Sequence, residues 1–307
     1  MNKNVLGKSN FFQITVAGLM AGLIAGSAVS ISTIGHAVAC TEDGKEGIVP
    51  ENDRNIPVGA KEAGGLNEAQ FNQVLTEVET VLSPIVASKG GKLVIQRKWT
   101  DGTVNAYAKR QGRNWIVAMF GGLARHPLMT IDGMAAVVCH EIGHHIGGAP
   151  IKAASSWAAN EGQADYFAML KCLRLVYGGT HSPREWTRPA TIPATVVSKC
   201  SGTFRAASDV TLCERTSIAG QVLGNIFADL KKGSAPTFDT PDTSVVTSTD
   251  DDHPAPQCRL DTYFAGSVCG KDVSEDVSNT DVTQGTCSVE RGDTVGVRPA
   301  CWYKAEI

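Results

Sequence analysis

His140-Glu141-Ile142-Gly143-His144 is the segment of this chain whose residue types and spacing can do chemistry. On a helix, positions i and i+4 share a face, so the two imidazoles can reach a single metal ion. Glu141 stands beside them, where a carboxylate can take a proton from water activated by that ion. Zn2+ is the ion the pattern implies, and it needs a third protein ligand with one position left open. His145 does not serve, because adjacent helix residues point about 100° apart. Further along, Glu161 and Asp165 stand at i and i+4 of Asn160-Glu161-Gly162-Gln163-Ala164-Asp165. Glu161 is the economical third ligand. Asp165 would then accept a hydrogen bond from one ligating histidine and fix its tautomer.

Two helices must carry these groups. The apolar run Ile131 to Ile146 has Thr130 or Asp132 at its start and Gly147-Gly148 and Pro150 at its end, which predicts the first. The second is expected from about Ala158 to Val176, closed by Gly178-Gly179. Upstream, Phe71, Val74, Leu75, Val78 and Leu82 follow Asn67 at helical spacing, with Pro84 and then Gly90-Gly91 ending or kinking the helix. Three strand-like runs come next: Lys92 to Trp99, Val104 to Lys109 and Trp115 to Phe120. Asp101-Gly102 reads as a hairpin between the first two, and Gly112 as a turn after the second. Residues 181 to 207 read as irregular, Ser217 to Leu230 as a helix, and residues 232 to 252 as an exposed acidic loop. The expected fold class is α+β, a small antiparallel sheet packed on helices with the metal between two of them.

The whole chain sets bounds on this reading. Its net charge of -3 carries no basic excess, which excludes a nucleic-acid partner. Lys3 and Lys8 precede an apolar run from Phe11 to about Ile34, and Ala37-Val38-Ala39 ends it. That pattern predicts a signal peptide over 1–39, with an uncleaved membrane anchor as the competing reading. Cys40 then offers two fates for an exported chain, periplasmic or secreted: plain release or a lipid on that cysteine. Residues 40–65 read as a linker or short propeptide, 66–265 as the domain with the metal motif, and 266–307 as a cysteine-rich appendage. The nine cysteines contain no C-x-x-C pair, so disulfides are expected, with Cys40 or Cys139 left over. The simplest local pairing in the tail is Cys258 with Cys269 and Cys287 with Cys301.

H-E-x-x-H followed by E-x-x-x-D resembles the gluzincin metallopeptidases, and among them the family of HtpX and the CAAX prenyl endopeptidases. Three more segments carry the likeness: Asn105-Ala106-Tyr107-Ala108 with Gly112-Arg113 and Val117 through Gly122-Leu123, then Glu161 to Ala168, then His253-Pro254 with Arg259. It spans roughly residues 66 to 265. The resemblance implies a zincin-like fold and a zinc endopeptidase that acts on peptide or protein substrates. It makes Asn105 and Ala106 the upper edge of the cleft, able to pair with an extended peptide. It makes His253 the donor to the oxyanion, with Arg259 positioning it or pairing with Asp165. Tyr107 and Tyr166 are the alternative donors. His126, His145 and His181 read as structural or exposed. The named family members are integral membrane proteins, whereas this chain has no apolar run of membrane length after its signal. Membrane substrates and prenyl specificity are therefore not carried over, and the only membrane contact expected is through a lipid on Cys40. A non-catalytic zinc-stabilised binding module is the alternative, but a purely structural site fills all four positions and has no use for Glu141. Hydrolysis of a non-protein amide is chemically allowed by the same motifs.

Overall fold

Helix α1, Glu68–Ser88, opens on a reciprocal cap in which Asn67 accepts from the Gln70 amide and the Gln70 side chain accepts from the Asn67 amide. It buries Phe71, Val74, Leu75, Val78, Leu82 and Val86 along one face. Pro84 does not end it, because the apolar stripe continues through Val86 and rewards the extra turn. The computed structural model describes residues 47–153, 155, 157–178 and 185–306, all within the unit Ala37–Ile307. The expected signal peptide, Cys40 and His181 lie outside the described residues.

Strands β1 (Lys92–Lys98), β2 (Ala106–Gln111) and β3 (Asn114–Phe120) form a sheet in the order β1-β3-β2. β2 and β3 are antiparallel, with Gln111 opposite Asn114 across the Gly112-Arg113 turn, but β1 and β3 are parallel. The sheet is therefore mixed, which corrects the antiparallel expectation, and no hairpin forms at Asp101-Gly102. The physical reason is the short helix α2, Gly121–Arg125. The buried Arg125 guanidinium donates to the carbonyls of Trp99 and Asp101, at 2.7 and 3.0 Å, and the Gly122 amide donates to Asp101 at 2.9 Å. Pinned there, the chain crosses to the far side of β3 instead of turning back.

Helix α3 spans Ile131–Ile146, with the Thr130 hydroxyl accepting from the Gly133 amide. Every residue from Gly133 to Ile146 is buried, so this helix runs through the interior between α1, the sheet and later helices. Helix α4, Glu161–Phe167, begins three residues later than expected because Asn160 caps it, accepting from the Gln163 amide. A π turn, Ala168–Cys172, links it to α5, Leu173–Gly178. Within the stretch expected to be irregular, α6 forms over Ala194–Thr203, held by buried Val196 and by the Cys200–Cys213 bridge to α7, Ala207–Leu230. α8 follows at Pro256–Val268. Among the described residues no helix is long and apolar enough to cross a membrane.

Four disulfides join Cys139 to Cys172, Cys200 to Cys213, Cys258 to Cys301 and Cys269 to Cys287. Cys139 is thus paired, and both expected tail bridges are corrected. Cys258 and Cys269 lie at opposite ends of α8, about 16 Å apart at the helical rise, beyond the reach of a disulfide. The tail lies against α4: Trp302 is fully buried over Gly162, Arg298 donates to the Gln163 side chain at 2.7 Å, and Tyr166 donates to the Gly296 carbonyl. The stretch expected as a linker also joins the core from Ile48 on, through Ile48, Val49 and Ile56. These three apolar side chains drive it inward despite the polar residues between them.

Candidate metal centre

α3 and α4 cross so closely that a Cβ on Gly143 would lie 3.1 Å from the Ala164 Cα. Glycine inside H-E-x-x-H therefore lets the second helix approach, and the approach brings Glu161 to the two histidines. Glu161 Oε2 lies 3.3 Å from His140 Nε2, and Oε1 lies 3.7 Å from His144 Nε2. His140, His144 and Glu161 form a buried group whose facing atoms lie within 4.8 Å of one another. The other such group among the described residues is Asp242 with Cys258 and Cys301, whose two sulfurs are consumed in a disulfide.

The outer atoms of both histidines face an acceptor, His144 Nδ1 within a hydrogen bond and His140 Nδ1 at ion-pair distance only. His140 Nδ1 sits 2.7 Å from Asp165 Oδ1, and His144 Nδ1 lies 2.8 Å from the Ala159 carbonyl. With Nδ1 turned to an acceptor, each ring presents Nε2 to the centre as the donor atom. Asp165 is itself held: Arg259 donates to both its oxygens at 2.7 and 2.8 Å, and Tyr263 donates at 2.6 Å. Arg259 therefore pairs with Asp165, one of the two roles the sequence left open for it. Tyr263 was not singled out by sequence. Its signal is its place at i+4 from Arg259 on α8, the spacing that puts both on one face.

The inner atoms are another matter. His140 Nε2, His144 Nε2, Glu161 Oε2 and both oxygens of Glu141 are buried without a hydrogen bond. Buried polar atoms are ordinarily partnered, so this cluster marks a place for a group that His140, His144 and Glu161 can bond, with the Glu141 carboxylate beside it. The donor set of two imidazoles and a carboxylate suits Zn2+. Burial opposes a charge on His140, yet Asp165 and Glu161 outweigh it and push its pKa up to about 9. Burial alone would raise Glu161, but His253, His144 and His140 hold it well below the usual carboxylate range. Burial drives His144 down to about 3, which leaves it neutral and fit to be a ligand. Burial raises Glu141 to about 8, with His140 pulling the other way. Lys152 Nζ also reaches Glu161 Oε1, at 3.1 Å.

His253 comes to the rim of this group, its Nε2 at 3.3 Å from Glu161 Oε2 and 2.6 Å from the Gly47 carbonyl. The Asn105 side chain and the Ala106 carbonyl face residues 47–49 of the same chain: the Ala106 carbonyl accepts from the Ile48 amide at 2.9 Å, and Asn105 bonds both the amide and carbonyl of Val49, at 3.2 and 3.1 Å. Tyr107 packs against Phe120, and Tyr166 is spent on the tail. His145 is buried between Trp115 and Trp157, and His126 bonds Asp229. Comparison with known proteins gives no match: no family model, no curated protein and no solved structure is similar to this chain.

Proposed function

We propose that this chain is an exported zinc-dependent endopeptidase of the gluzincin kind. One observation carries the reading: a catalytic-type carboxylate, Glu141, is buried without a hydrogen bond beside His140 Nε2, His144 Nε2 and Glu161 Oε2, which are buried in the same state. A site that only stabilised the fold would have no reason to bury Glu141 in that state.

His140, His144 and Glu161 would hold the zinc, which when bound supplies a Lewis acid for the peptide carbonyl and for water. Asp165 and the Ala159 carbonyl keep the two rings in the ligating tautomer. Glu141 accepts the proton of the attacking water and passes it to the departing amine. His253 donates to the oxygen on which negative charge develops. Asn105 and Ala106 hold the backbone of an extended peptide, giving alignment with little dependence on its sequence. Release from the signal after Ala39, with or without a lipid on Cys40, belongs to the same proposal.

Glu141→Gln tests it. The variant should bind zinc at the parent's stoichiometry and lose hydrolysis of a standard peptide by about a hundred- to ten-thousandfold. Activity near the parent's would end the peptidase reading, and loss of zinc would mean that Glu141 is a ligand and not a base.

A further inference from the structure

Residues 47–49 are bound by the groups assigned above to a substrate. They form a bend in which the Gly47 amide donates to the Val49 carbonyl at 3.2 Å. The segment places the Ile48 amide on the Ala106 carbonyl and the Val49 amide and carbonyl on the Asn105 side chain, and further along Asn55 pairs antiparallel with Thr103. Arg259, which also grips Asp165, donates to the Ile48 carbonyl. The carbonyl one residue earlier, that of Gly47, meets His253 at 2.6 Å, and the same His253 nitrogen is 3.3 Å from the ligand Glu161. Gly47, Ile48 and Val49 are all buried. The seat also explains its residues. A Cβ on Gly47 would lie 1.7 Å from the Ala106 carbonyl oxygen and 2.7 Å from Asn105 Oδ1, so only glycine fits. Ile48 is fully buried, so the following position is filled by an aliphatic side chain.

We infer that the chain is its own first substrate, cut at the Gly47–Ile48 bond, and that until the cut its own segment fills the peptide seat. This rests on the peptidase reading above. The oxygen of one water molecule joins the Gly47 carbonyl carbon, and the bond from that carbon to the Ile48 nitrogen breaks. Glu141 carries a proton from the water to that nitrogen, leaving a Gly47 carboxylate and a chain that begins at Ile48. The same seat sets the preference for other substrates: glycine before the cut and a β-branched aliphatic residue after it.

The test uses the full chain, with Glu141→Gln and Gly47→Val beside the parent. N-terminal sequencing after zinc addition should find Ile48 in the parent, appearing at a rate independent of protein concentration, and no cut in Glu141→Gln. Hydrogen exchange at the Ile48 amide, measured without zinc, should be slower in Glu141→Gln than in Gly47→Val by on the order of a hundredfold, since valine cannot enter the seat. Gly47→Val should stay uncut and should bind an added peptide at least about tenfold more readily, because the tethered competitor is gone. A parent that hydrolyses added peptide yet keeps Gly47–Ile48 intact overturns the self-cleavage and leaves the peptidase reading standing. A parent that cuts neither takes both down. Free exchange of the Ile48 amide in Glu141→Gln overturns the occupied seat whatever the activity, and a rate that grows with concentration overturns cutting within one chain. Should Gly47→Val fail to fold, judged by zinc stoichiometry and disulfide mapping, the parent and Glu141→Gln still decide the matter.

Discussion

His144 and His145 are neighbours on α3, and both are pushed by burial to a pKa of about 3, yet they serve opposite purposes. His145 is stacked between the rings of Trp115 and Trp157, with centroids 5.6 and 4.9 Å away. Its Nε2 bonds the Ile116 carbonyl, and Arg110 covers its Nδ1. His144 has one nitrogen on the Ala159 carbonyl and the other bonded to nothing. Burial and a low pKa are thus common to both and distinguish neither. The difference lies in satisfaction: a histidine with both nitrogens engaged holds a core together, and one with a free inner nitrogen is prepared for a ligand.

The sharpest way to break that comparison is to remove each ring in turn. His144→Ala and Glu161→Ala should each lose stoichiometric zinc, measured by metal analysis after dialysis. His145→Ala should keep the metal and lower stability by about 1 to 3 kcal/mol in denaturant unfolding. Equal metal loss in both histidine variants would show that satisfaction does not separate ligand from scaffold. Next in size is His253→Ala, expected to reduce turnover by about a hundred- to a thousandfold with zinc content and Michaelis constant little changed. Turnover at the parent's level would return His253 to the role of a clamp on Gly47 alone. Asp165→Asn should weaken zinc binding by about ten- to a hundredfold, read from competition with a chelator, because the His140 tautomer loses its anchor. The smallest effect on turnover should come from outside the ligand set. The Cys139→Ala and Cys172→Ala pair removes a bridge that joins α3 to the π turn after α4, costing about 2 to 5 kcal/mol of stability while leaving the proposed peptidase turnover of the zinc-loaded protein within about twofold. A large fall in turnover would mean that the bridge sets ligand geometry as well as stability.

The parts of this site that obey short-range rules were legible in the sequence. His140 and His144, like Glu161 and Asp165, share a face because helix periodicity demands it, and Thr130 marks the start of α3 by capping chemistry, whereas the Asn160 cap that starts α4 is not anticipated by the expected start at Ala158. The pairing of β1 with β3 was not legible, because it depends on Arg125 capturing two carbonyls across a loop, a contact no local pattern announces. The tail bridges were misread for a related reason: sequence proximity favours Cys258 with Cys269, but α8 holds them apart. Ile48 and Val49 gave a faint signal, two adjacent β-branched residues in a polar stretch, and nothing local says that they lie on Asn105 and Ala106.

Trp302, buried over Gly162, has a bearing on the order in which the protein can be assembled. A polypeptide emerges from synthesis amino end first, so His140, His144 and Glu161 are all available well before Trp302 exists. The back of α4 stays wet until that indole arrives, and the Cys258–Cys301 bridge beside it cannot close earlier. A partly made chain therefore holds its ligands only loosely in register. The group formed by His140, His144 and Glu161 becomes firm only once Trp302 has been added behind it.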